Sequence, residues 1–178
     1  MTPPNGLPVK YAPQMATQQR SRVAILAGAK EVIASVGSYE SLMNEIAERA
    51  EVSRATIYNH FSDREELMLA LLTSEVERLI AVARTASTKA EALLQLSRAI
   101  SDDLALAKMV ETDHDDIVAI TTITGHPLWI EIHRAAAEIF GEDENTVGLI
   151  LRWLIAQVTS PLTLAQSEVQ AQRLASLL

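Results

Sequence analysis

Apolar residues recur along this chain with a helical period, and the alternation expected of strands is missing. Val23, Leu26, Ala27, Lys30, Ile33 and Ala34 follow helical spacing and predict a first helix over 17–36, with Gly37 just past its end as a C′ residue. Ser41 suits the N-cap of a short helix over 42–49 with Leu42, Ile46 and Ala47 inward. The tight connection "AEVS" at 50–53 leads to a third helix over 54–60, which Ser53 can cap. "SDREE" at 62–66 is a start signal, because Ser62 is followed three residues later by Glu65, the spacing of a capping box. It opens a long helix over 63–86, with Leu67, Leu71, Leu72, Val76, Leu79, Ile80 and Ala83 along one side. Further helices are predicted over 88–110, 114–124, 127–140, 143–159 and 163–177, punctuated by Pro127, Gly141 and Pro161. The fold class is all-α, with about nine helices.

Three regions follow from the pattern. Residues 1–16 hold four of the six prolines and read as a disordered N-terminal arm. Residues 17–62 form a compact three-helix unit, and residues 63–178 a larger helical bundle. Charge divides in the same place. Residues 1–64 carry seven Lys/Arg against six Asp/Glu, whereas residues 65–178 carry eight against seventeen. Such asymmetry points to two surfaces with different partners.

The stretch "VSRATIYNHF" at 52–61 raises the question of what surface it serves. A core helix would not hold Arg54, Asn59 and His60, and a solvated one would not need Ile57, Tyr58 and Phe61. Helix 42–49, a four-residue turn and helix 54–60 have the lengths of a helix-turn-helix, whose second helix enters the major groove of DNA. Val52, Ile57 and Phe61 can pack it down, which leaves Arg54, Thr56, Tyr58, Asn59 and His60 for the groove.

The run "SLMNEIAERAEVSRATIYNHFSDREEL" resembles the DNA-binding domain of the TetR (tetracycline-repressor-like) family of bacterial regulators. The matching residues are Ile46-Ala47, Ala50, Val52-Ser53, Thr56, Tyr58, His60-Phe61 and the basic-acidic pair Arg64-Glu65, within about residues 18–70. The resemblance implies that Ser41, Thr56, Tyr58, His60 and Arg64 bind phosphate oxygens. Arg54, Ala55 and Asn59 would then meet base edges. The chemistry supports that division, since Arg can grip guanine, Asn adenine and Ala a thymine methyl. Arg20 and Arg22 can add a phosphate or minor-groove contact, and Lys10 a phosphate contact. One departure stands out: Glu51 occupies a turn position where the family usually has glycine. That position often needs φ > 0, at a cost of order 1 kcal/mol for other residues. Glu51 is expected to be tolerated there, pointing away from DNA.

The resemblance also implies a homodimer on a double-stranded DNA operator, and usually repression released by a small molecule in the C-terminal bundle. Met68, Leu72, Leu104, Met109, Ile120, Thr121, Thr124, Trp129 and His133 are the candidate pocket, which suits a mostly apolar ligand. "VGLILRWLIAQV" at 147–158 is apolar nearly all round, so Ile150, Trp153, Leu154 and Gln157 are candidates for the dimer interface.

Other functions find less support. The chain has no cysteine, which excludes disulfides, zinc ribbons and thiol nucleophiles. It shows no glycine-rich phosphate loop, no nucleophile elbow and no cofactor motif, so it does not read as an enzyme. "ETDHDD" at 111–116 contains one Glu-x-x-His, but no second pair to complete a di-metal site, and reads as an acidic loop and helix cap. No signal peptide or membrane-length apolar run is present, which suits a cytoplasmic protein. A ligand-binding bundle that never touches DNA would explain the acidic C-terminal region but leave 41–64 unexplained.

Overall fold

The computed structural model describes residues 12–38, 43–122, 125–141 and 143–178, and these form ten α-helices with no strand among the described residues. They are α1 (Ala12–Val36), α2 (Met43–Arg49), α3 (Arg54–His60), α4 (Arg64–Thr85), α5 (Lys89–Ser101), α6 (Leu104–Thr112), α7 (His114–Thr121), α8 (Pro127–Phe140), α9 (Glu144–Thr159) and α10 (Leu164–Ala175).

Two predicted boundaries move. Helix α1 begins at Ala12, five residues inside the expected arm, because Pro13 at the start of a helix forfeits only an N–H that would have no partner. The single helix predicted over 88–110 is two, broken at Asp102–Asp103. Asp103 ends the run by capping a new helix: its Oδ1 accepts from the N–H groups of Ala105 and Leu106 at 2.9 and 3.1 Å.

Residues 17–62 do not enclose their own core. Ile25, Leu26, Ala29, Val32 and Ile33 of α1 pack on Ile46 and Ala47 of α2, on Ile57 of α3 and on Phe61. Leu67 and Leu71 of α4 and Ala105 of α6 complete that cluster. The buried stripe of α1 is therefore rotated from the one predicted, with Val23 and Ala27 exposed. Gly28 lets α1 and α2 meet, since a Cβ there would lie 2.9 Å from Ala50 N.

A second cluster lies at the far end of α4. Ala83 packs there with Leu93 and Leu96 of α5, Phe140 of α8, Ile150, Leu151 and Leu154 of α9, and Ala171 and Leu174 of α10. The candidate interface residues take part in this cluster or border it. Ile150, Leu154 and Gln157 are buried within their own chain, Gln157 to 2% exposure. Gln157 Oε1 accepts from Ser97 at 2.5 Å and Ser101 at 3.1 Å, and its amide nitrogen donates to the Trp153 carbonyl at 3.2 Å. Ser167 stands 2.8 Å from Ser97, so buried polar groups of α5, α9 and α10 satisfy one another. Trp153 is half-buried, with its indole N–H donated to Gln170 of α10 at 2.8 Å.

The start of α4 also differs in detail. Asp63, not Ser62, is the N-cap, accepting from Glu66 N–H at 2.8 Å, while the Glu66 carboxylate accepts from Ser62 N–H at 2.6 Å. The Glu66 N–H holds the Asp63 carboxyl below its ordinary value, aided by the Ser62 hydroxyl. The Ser62 N–H does the same for Glu66.

Glu51 has φ +54° and is the single described non-glycine residue with positive φ. Glu51→Gly should therefore raise stability by about 1 kcal/mol, read as a higher denaturant midpoint at unchanged slope. The depressed carboxyls at Asp63 and Glu66 stabilise the fold above the ordinary carboxylate range, and that contribution is lost as pH falls through about 4 and below. Asp63→Asn should accordingly weaken the fall in stability between neutral and acid pH, measured by unfolding at each pH.

Candidate nucleic-acid interface and ligand cavity

The turn between α2 and α3 is built by backbone bonds: Ala50 N–H to Ile46 O at 2.9 Å, Glu51 N–H to Glu48 O at 3.2 Å and Val52 N–H to Ala47 O at 3.0 Å. Ser53 then caps α3, its Oγ accepting from Thr56 N–H at 3.0 Å and lying 2.8 Å from the Thr56 hydroxyl. Ile57 and Phe61 are buried and Val52 is partly so, which matches their predicted packing role. With that face pinned, Arg54, Ala55, Tyr58 and Asn59 are exposed, and Thr56 and His60 are half-exposed. A polar, hydrogen-bonding surface with one arginine, one amide and one phenol is thus presented on a short helix whose other side is anchored. Glu51 is exposed beside it, on the flank lined by Glu45, Glu48 and the end of α1. Arg22 of α1 stacks on Phe61, 4.6 Å from the ring centroid, and so braces α1 against the end of α3. Arg20 is exposed, hydrogen-bonded within its own helix to Ala16 O. Ser41 and Lys10 lie outside the described residues.

Arg64 bonds within the chain. The predicted phosphate ligand is half-buried, and its guanidinium donates to the Ser38 carbonyl just past the end of α1. A guanidinium used in this way ties α4 to α1 and is turned away from solvent. Ser38 is held from the other side as well. Its N–H donates to Asp113 Oδ2 at 2.8 Å and its hydroxyl to Asp116 Oδ2 at 2.5 Å. The "ETDHDD" segment thus clamps the end of α1 and opens α7. Among the described residues no group of three or more His, Cys, Asp or Glu is placed to hold a metal.

Between the two apolar clusters lies a cavity of about 730 Å³, within the range of small-molecule sites. Of the predicted lining residues, Met68, Leu72, Met109, Ile120, Thr121 and Trp129 are on its wall. Leu104 is not: it is 73% exposed on the outer side of α6. His133 does not line the cavity either, because α8 turns Ile132, Ala135, Ala136 and Ile139 inward instead. Thr124 lies outside the described residues. Sequence reasoning missed Ile100, Leu106, Ile139 and Phe140, which complete the apolar wall. It also missed the charged end. Lys30 Nζ lies 2.6 Å from both Glu75 Oε2 and Asp103 Oδ2, and Arg78 lies 2.9 Å from Glu75. A lysine at helical spacing among apolar residues was the available signal, since a part-buried ammonium requires counter-charges.

Residues 25–71 match the family model for bacterial regulatory proteins of the tetR family. Over 65 residues the chain is 42% identical to the HTH-type transcriptional activator FasR of Mycolicibacterium smegmatis, a match covering 36% of this chain and 30% of that relative's length. Solved structures share the fold across most of the chain. The TetR family repressor AlkX from Dietzia sp. strain DQ12-45-1b, implicated in biodegradation of n-alkanes, superposes with TM-score 0.60 at 20% identity. That likeness covers 86% of this chain and 95% of AlkX. The transcriptional regulator FadR from Bacillus subtilis, solved with stearoyl-CoA, gives TM-score 0.51 at 20% identity, over 88% of this chain and 98% of that one.

Proposed function

We propose that this chain, whose residues 25–71 are a TetR-family DNA-binding domain, is a transcriptional regulator that binds a double-stranded operator as a homodimer and is released when a mostly apolar small molecule fills its cavity. The observation that carries this reading is the outer face of α3, where Arg54, Ala55, Tyr58 and Asn59 are exposed over a buried Ile57. Such a face enters the major groove at no cost in buried apolar surface. Arg54, Ala55 and Asn59 read base edges. Thr56, Tyr58 and His60 hold phosphates and set the register. Repression is the proposed sign of the response.

The dimer forms through the outward sides of the last two helices. Ile150, Leu154 and Gln157 belong to the chain's own core, so the contact falls to Leu149, Trp153 and Ala156 on α9 and Val169 on α10. Leu149 and Val169 are about half exposed on helices that otherwise pack tightly, as an interface left open in one protomer would be.

A mobility shift with the chain's own upstream DNA at low salt tests the reading, and the absence of any shifted fragment would contradict it. Arg54→Ala should cost about 1–3 kcal/mol at the operator and relax preference at one base pair. Tyr58→Phe should weaken specific and non-specific DNA alike, leaving base preference intact. Measured by sedimentation, Leu149→Asp should move the protein from dimer towards monomer and weaken operator binding with it.

A further inference from the structure

We infer that the exposed first half of α1 is a second DNA-contact element, laid against the sugar-phosphate backbone beside the groove that α3 enters, with Gln18, Gln19 and Arg22 as its donors; this rests on reading α3 as the recognition helix. Met15, Ala16, Thr17, Gln18, Gln19 and Arg20 are all exposed. Six consecutive residues cover more than one helical turn, so α1 is open to solvent on every side there. Ile25 is the first buried residue of the helix among those described, and it stands roughly 20 Å along the axis from Ala12. The apolar core does not account for this length of helix.

One face of it is nonetheless continuous with the core-facing stripe. Arg22, Gln19, Gln18 and Met15 stand four, seven, eight and eleven residues before the buried Leu26, which puts them on its side of α1. From Arg22 outward that stripe changes from aliphatic to mainly polar residues, two of them amides whose N–H groups suit phosphate oxygens. Arg22 marks where the change falls. Its guanidinium stacks on Phe61, the residue that follows α3, so the free half of α1 leaves the domain beside the end of α3 that carries His60.

Charge fits the same partner. Residues 1–30 contain no Asp or Glu, against Lys10, Arg20, Arg22 and Lys30. Lys30 is taken by Glu75 and Asp103, whereas no ion pair among the described residues takes Arg20 or Arg22. At the start of α4, Asp63 and Glu66 are engaged by backbone N–H groups, and Glu65 is exposed. Glu66, held low mainly by the Ser62 N–H, also feels the Arg22 charge. Glu45, Glu48 and Glu51 line the flank at the far end of α1, and Glu31 pairs with Arg49 there. Glu40 lies outside the described residues. An acid-free, cationic length of helix beside the recognition helix matches a polyanion.

The test sets two double variants of the full-length protein against each other. Gln18→Glu with Gln19→Glu places two carboxylates on the face described, and Ala16→Glu with Thr17→Glu places the same two on the opposite side of the helix. All four positions are exposed, so both variants should fold as the wild type does. Binding is read by fluorescence anisotropy at low salt, on an upstream fragment that the wild type shifts and on unrelated DNA of equal length. The Gln18/Gln19 variant should bind both DNAs about tenfold more weakly or worse, with their ratio unchanged, and the Ala16/Thr17 variant about threefold more weakly at most. Hydroxyl-radical footprinting of the wild type should show backbone protected beyond the base pairs that α3 reads, and the Gln18/Gln19 variant should lose that protection alone. Equal losses in the two variants would reduce the effect to net charge and overturn the assignment. So would a wild-type footprint confined to the groove that α3 enters. A changed oligomeric state in the Gln18/Gln19 variant alone would assign the face to a second copy and overturn it too. These outcomes leave the regulator reading in place, whereas a wild type that shifts no DNA would remove that reading and this inference with it.

Discussion

The end of α1 is the point on which the rest depends. A helix terminus leaves backbone carbonyls without partners, and a chain leaving it needs its first N–H groups satisfied as well. Here the solution comes from α4 and from α7 with the turn that leads into it. Gly37 takes φ +91° and packs against Asp113, whose Oδ2 would lie 2.6 Å from any Cβ placed there. Ser38 is then held by Asp113 and Asp116 of the α7 region and by Arg64 of α4. Eight residues before Ser38, Lys30 joins α1 to Glu75 of α4 and to Asp103, the cap of α6. Helices α2 and α3 pack on α1, so among the described residues this junction and the first apolar cluster set how they sit against the bundle.

In the proposed function, that geometry is what ties reading DNA to sensing a ligand. The first cluster includes Leu67, Leu71 and Ala105, residues of helices that also line the cavity or border it. Filling the cavity cannot shift α4 or α6 without disturbing the packing beneath α3. The proposed release is thermodynamically a population shift between two arrangements of the heads, in which a hundredfold loss of operator affinity corresponds to about 2.7 kcal/mol. An energy of that size is within reach of a few apolar contacts.

Much of the first four helices was legible in the sequence, and for physical reasons. Caps and turns are local, so Ser53, Gly37 and the "AEVS" turn could be read without knowing the fold. The positive φ of Glu51 followed from its turn position. What could not be read was which of two plausible partners each side chain would take. Asp63 outcompeted Ser62 as a cap, because Glu66 was equally well placed to reach back to Ser62 N–H. Asp103 broke a helix that periodicity alone would have continued. Arg64 bonds to the Ser38 carbonyl, 26 residues away, a partner that no local pattern announces. The apolar face of α9 was visible, yet periodicity does not tell packing inside a chain from packing between chains. Ile150 and Leu154 therefore went to the core while Leu149 stayed outside. A hollow is likewise invisible, since Ile139 facing a cavity and Ile139 facing another side chain give the same pattern.

The central claim is that the contents of the cavity set the separation of the two recognition helices. The chain has no cysteine, so Glu48→Cys on the exposed side of α2 gives each protomer one unique spin-label site. Pulsed electron resonance on the labelled dimer then measures the distance between the two heads directly. On operator DNA the distribution should be narrow and fit helices in successive major grooves, about 34–36 Å apart. Adding a mostly apolar small molecule that fills the cavity should shift or broaden that distribution as DNA is released. An unchanged distribution in a protein that has bound such a molecule and left its operator would contradict the claim.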